Sequence, residues 1–89
     1  MTKGKKVKAI ASPNFEEAVS LENIGTFIKA RRTQQKLNTQ DTALLCNISA
    51  HTLNKIENGF EGVKLSTLLT VTDALGIKLQ VMPWEHEDA

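Results

Sequence analysis

Between Asn38 and Gly59 the sequence starts and stops a helix twice, and few folds accommodate that. Asn38 is a good N-cap, and Asp41 at the third position completes a weak form of capping box. The helix predicted over 39–46 buries Ala43 and Cys46, with Thr42 beside them. Asn47 ends it, because Asn tolerates the left-handed conformation that a helix C-terminus often needs. Ile48 is an apolar plug and Ser49 caps again. The next helix, 50–57, turns Leu53 and Ile56 inward, and Asn58-Gly59 stops it.

Two short helices across the tight turn Asn47-Ile48-Ser49 have the geometry of a helix-turn-helix. Upstream, Ser20 caps a helix over 21 to about 35, whose inner face is Leu21, Ile24, Phe27 and Ile28. Gly25 inside it costs about 1 kcal/mol against Ala. Ser12-Pro13 signals another short helix over 13–19, with Glu16 and Glu17 in its positive first turn and Phe15, Ala18 and Val19 on one face. Downstream, a loop at 60–64 leads to a helix over 65–75, marked by Leu65, Leu68, Leu69, Thr72 and Leu75 and ended by Gly76. The period then changes to two. Ile77, Leu79 and Val81 alternate with Lys78, Gln80 and Met82, which predicts a strand over 77–82 that Pro83 terminates. One strand leaves its backbone groups unpaired. Pairing between two copies is the economical solution; the alternative is pairing with segment 7–10 of the same chain. The expected fold is mainly α: four to five short helices and one C-terminal β-strand paired between the protomers of a dimer.

The chain has 89 residues, 40% of them hydrophobic, which suits one small domain with a modest core. No apolar run is long enough for a membrane span, no apolar stretch follows the basic start as in a secretory signal, and one Cys makes no disulfide framework. A cytoplasmic protein is expected. The net charge of +1 hides an asymmetry. Lys3, Lys5, Lys6 and Lys8 open the chain, Glu85, Glu87 and Asp88 close it, and residues 9–84 carry seven charges of each sign. The resulting division is a flexible basic arm (1–11), the helix-turn-helix domain (12–76), the dimerisation strand (77–82) and an acidic tail (83–89). The arm reads as a solvated terminus or, at residues 3–8, as a contact to a DNA backbone. A further basic cluster is Lys29, Arg31, Arg32 and Lys36.

A helix that enters the major groove needs an outer face that is small or hydrogen-bonding. The outer positions of helix 50–57 are Ala50, His51, Asn54 and Lys55. Lys55 suits guanine O6 and N7, Asn54 suits adenine, Ala50 suits a thymine methyl, and His51 donates or accepts according to its tautomer. The start of helix 39–46, with Thr39 and Gln40, suits a phosphate. Thr52, Asn58 and Lys64 complete the expected phosphate contacts.

The run from Asn38 to Gly59 resembles the Cro/C1-type helix-turn-helix of the XRE family. The resemblance rests on Ala43, Ile48, Ser49, Thr52, Leu53, Ile56, Glu57, Asn58 and Gly59, and its ending Ser-x-x-Thr-Leu-x-x-Ile-Glu-Asn-Gly is specific. It extends from Leu21 to Ile77. It implies a lambda-repressor-like DNA-binding fold with Ser49, Ala50, His51 and Lys55 toward the groove, and Asn54 at a base edge or over the backbone. It also aligns Arg32 and Glu57 as a partly buried ion pair; two independent surface charges are the alternative. Thr39 departs from the family's phosphate-binding Gln, Thr42 from a core Leu, Asn47 from the turn Gly, and Asn38 from the usual Thr. The ending in a strand is similar to the HipB-type antitoxin branch, whose members pair C-terminal strands, bind DNA as dimers and bind a kinase-like toxin. The implied function is a transcriptional repressor and antitoxin that reads a palindromic operator in double-stranded DNA.

Two alternatives stand beside it: a stand-alone XRE-family regulator, and a protein-interaction module that has lost DNA affinity. Trp84, just past the strand, either packs on the dimer joint or anchors a partner protein. Cys46, His51 and His86 form no expected metal site. Neither a Gly-rich phosphate loop, a nucleophile elbow nor paired carboxylates appear, so no enzyme, no cofactor and no small-molecule substrate are expected.

Overall fold

A computed structural model of the chain describes residues 7–84. Its helices are α1 (Leu21–Gln34), α2 (Thr39–Leu45), α3 (Ala50–Glu57) and α4 (Leu65–Ala74). The starts follow from capping. Ser20 and Asn23 form a full capping box on α1: each side chain accepts the other's backbone N–H, at 3.1 and 2.8 Å. Asn38 Oδ1 accepts from Asp41 N at 2.7 Å, and Ser49 Oγ from Thr52 N at 3.0 Å.

The four helices of the described residues end in the same way. Lys36, Asn47, Gly59 and Gly76 each take a positive φ, of 63°, 59°, 74° and 75°. The next residue in each case returns its N–H to the helix: Leu37 to Arg32 O, Ile48 to Ala43 O, Phe60 to Lys55 O, and Ile77 to Thr72 O. These are Schellman closures. Leu37, Ile48 and Ile77 then pack against the core, whereas Phe60 remains more than half exposed.

The core is Ile24, Ile28, Ala43, Cys46, Leu53, Ile56, Val71 and Leu75. Thr42, where the resemblance implies a core Leu, is fully buried, and its hydroxyl donates to Asn38 O at 2.9 Å. Both α1 and α2 pack on α3. Gly25 explains its own helix cost. A Cβ there would meet the backbone oxygens of Ile56 and Glu57, the latter at 2.8 Å, so the glycine sets how closely α1 approaches the end of α3.

The structure corrects the expected helix over 13–19. Only a turn forms at residues 15–17. Asn14 Oδ1 accepts from Glu16 N at 2.9 Å, and Asn23 Nδ2 donates to Ala18 O at 2.7 Å. The segment thus uses its polar groups in an Asx turn and in the cap of α1. No β-strand occurs among the described residues. Residue 77 closes α4 instead of opening a ladder, and segment 77–82 has no strand beside it. Pairing with segment 7–10 does not occur, because that segment is tied to α1: Ile10 N donates to Thr33 Oγ1 at 3.0 Å, and Gln34 Nε2 donates to Ile10 O at 2.9 Å. Lys3, Lys5 and Lys6 of the expected arm, and Glu85, His86, Glu87 and Asp88 of the tail, lie outside the described residues.

Candidate nucleic-acid interface

The turn between α2 and α3 decides how α3 is presented. Asn47 reverses the chain in the left-handed region, Ile48 anchors it to the core, and Ser49 starts α3 at once. Leu53 and Ile56 hold the inner side of α3. His51 and Asn54 stand exposed on the outer side, and Lys55 is half-buried at its edge. Ala50 differs from expectation. It is half-buried and packs against the core, because the tight turn presses the first residue of α3 inward. Ser49 has its hydroxyl occupied, capping Thr52 N and bonding Thr52 Oγ1 at 2.9 Å. The outer side of α3 thus carries His51 and Asn54 with Lys55 at its edge, and Ser49 and Ala50 lie at its start.

The positions expected at phosphates lie at the ends of the helices. Thr39 and Gln40 form the first turn of α2, Thr39 half-buried and Gln40 exposed. Gln40 is therefore the more exposed of the two side chains. Thr52 is half-buried beside Ser49. Asn58 folds its side-chain amide back onto Asn54 O at 2.8 Å and so serves the end of α3. Lys64 is exposed at the start of α4, and its side chain makes no capping bond.

Two of the four residues of the basic cluster, Arg31 and Arg32, make structural contacts. Arg32 Nε and Nη2 meet Glu57 Oε2 and Oε1 at 2.6 and 3.0 Å, and Arg32 Nη1 donates to Leu37 O at 2.8 Å. The aligned ion pair is present, with side chains only 7% and 5% exposed. Arg31 Nε, which the sequence offers no means of placing, donates to Leu75 O at 2.9 Å and ties α1 to the end of α4. Lys29 and Lys36 remain exposed. Cys46 is buried, and desolvation pushes its thiol above the ordinary range. Among the described residues, no group of His, Cys, Asp and Glu could hold a metal ion, and no helix is long and apolar enough to cross a membrane.

Residues 28–82 match the family model HTH_3, Helix-turn-helix. No curated protein sequence matches the chain. Among solved structures, "Structure of HipA-HipB-O2-O3 complex" contains a chain 19% identical, matched over 78% of this chain and 97% of that one with a TM-score of 0.69. "HipB-O4 20mer complex" gives the same values. The restriction-modification controller protein C.AhdI from Aeromonas hydrophila is 26% identical over 65% of this chain and 84% of its own, with a TM-score of 0.58. At 19% identity the first two establish likeness of fold.

Proposed function

Because the chain belongs to the helix-turn-helix family, of the XRE type, we propose that it is a sequence-specific DNA-binding repressor, and the antitoxin of a HipBA-like toxin–antitoxin pair. The observation that carries the DNA reading is the outer face of α3: His51, Asn54 and Lys55 stand side by side while Leu53 and Ile56 anchor the opposite side. Such a face offers donors and acceptors to base edges without an apolar surface to desolvate. Thr39, Gln40 and Lys64 position it on phosphates.

The dimer reading is supported by what the single chain leaves uncovered. Leu79 and Val81, on the alternating face, are 36% and 86% exposed. Ile77–Met82 of one protomer pairs with its copy, and the dimer reads a palindrome whose half-sites lie about one helical turn, ~34–36 Å, apart. The antitoxin reading is supported by the likeness to structures in which HipB is complexed with HipA, O2 and O3, and with an O4 20mer. The partner is then a kinase-like toxin, the protein works in the cytoplasm, and it has no catalytic activity of its own. The likeness to the restriction-modification controller supports a second reading, a stand-alone regulator without a toxin.

Footprinting on the DNA upstream of the gene tests the proposal. Two protected half-sites one turn apart, or a multiple of that, are expected; uniform protection contradicts it. Co-purification of a kinase-like protein encoded beside the gene separates the antitoxin from the stand-alone regulator.

A further inference from the structure

An apolar groove of about 450 Å³ opens between the 12–19 turn, α1 and the chain that follows α4. Phe15, Val19, Ile24, Phe27, Ile77 and Leu79 line it. Phe15 leans on Phe27 with ring centroids 5.1 Å apart, yet it is 78% exposed, and Val19 is 62% exposed. Trp84 lies five residues beyond Leu79 and is 73% exposed. None of these residues is among those assigned above to DNA.

We infer that in the dimer each protomer's Trp84 seats in this groove on its partner. The inference rests on the strand pairing proposed above and adds the contact that closes the joint. Symmetric antiparallel pairing that keeps Ile77, Leu79 and Val81 on one face of both strands centres its axis on a residue, and an axis at Leu79 or Gln80 keeps most of segment 77–82 paired. The partner's Trp84 then arrives opposite Ala74 or Gly76, and Gly76 is itself part of the groove wall. Pro83 cannot continue the ladder, which releases Trp84 from the strand at that point. Arg31, fixed by Leu75 O, borders the groove and presents a cation to the incoming ring. The area argument agrees. Two short paired strands are marginal in water. Each buried Trp removes ~150–250 Å², toward the ~1,200 Å² that a stable interface needs.

Trp84 is the only tryptophan in the chain, so its fluorescence reports this contact alone. The full chain is followed by emission wavelength and acrylamide quenching across a dilution series, with sedimentation equilibrium on the same samples. The expected dimer shows blue-shifted emission and severalfold weaker quenching than the chain unfolded in urea, and both are lost on dilution in step with dissociation. Phe15→Ser, at an exposed wall position, restores quenching severalfold in samples that keep their helical signal. A dimer with a fully quenchable Trp84 overturns the inference and leaves the strand pairing standing. Protection that persists in samples where sedimentation shows the monomer also overturns it, since the ring then packs within its own chain. A monomer at every concentration overturns the strand pairing and the inference together.

Discussion

The guanidinium of Arg32, in the last turn of α1, faces the carboxylate of Glu57, the last residue of α3, in a two-bond fork of 2.6 and 3.0 Å. The remaining terminal nitrogen, Nη1, holds Leu37 O at 2.8 Å in the turn before α2. One side chain thus joins α1, the α1–α2 turn and the end of the helix proposed to read DNA. Its orientation is set by a pair that is almost wholly withdrawn from water.

Removing one partner strands the other. Arg32→Ala or Glu57→Ala is expected to cost about 3–5 kcal/mol, measured by urea unfolding. Replacing both should cost clearly less than the sum of the two single changes. Additive losses would mean that the two charges act independently.

Gly25→Ala tests the helix contact. In an exposed helix this change stabilises by about 1 kcal/mol. Here the new methyl meets the Ile56 and Glu57 carbonyl oxygens, so a net loss of about 1–3 kcal/mol is expected from overpacking. A rise in the urea midpoint would contradict the close approach of α1 to α3.

Lys55 and Lys64 are assigned different work. Lys55→Ala should lower affinity for the operator by about 1–3 kcal/mol and relax preference at one base position, with little change on random DNA. Lys64→Ala should weaken all sequences alike and reduce the salt slope by about 1. Equal losses on specific and random DNA for both variants would refute the assignment.

Burial holds the Cys46 thiol above its ordinary pKa. The folded state therefore keeps its proton at pH values where the unfolded chain, titrating near ~8.5, has lost it. Stability owed to this group is intact below ~8.5 and declines as pH rises through the raised folded value. Cys46→Ala should flatten that alkaline decline in urea midpoints measured from pH 7 to 10. An unchanged decline would assign it to other groups.

Much of this was legible from local chemistry. The starts of α1, α2 and α3 follow from Ser20, Asn38 and Ser49, and the turn from the tolerance of Asn47 for a positive φ; these are signals within a few residues. The resemblance supplied the Arg32–Glu57 pair, a contact across 25 positions that spacing alone does not reveal. Elsewhere the local signals misled. Ser12-Pro13 looks like a helix start, but Asn14 and Asn23 take the groups a helix would need. Gly25 looked like a cost, because its benefit lies in another helix. Ala50 looked open, because the pressure of the turn on it is tertiary. Lys36 gave no sign of its positive φ, having neither the side chain of Asn nor the freedom of Gly.

The central claim is specific DNA recognition, and fluorescence anisotropy tests it most directly. A labelled fragment of the gene's own upstream region is titrated against a scrambled fragment of equal length at two salt concentrations. The account predicts a preference of ~10³ or more for the upstream fragment, with affinity falling as salt rises. Equal, weak binding to both fragments would contradict it.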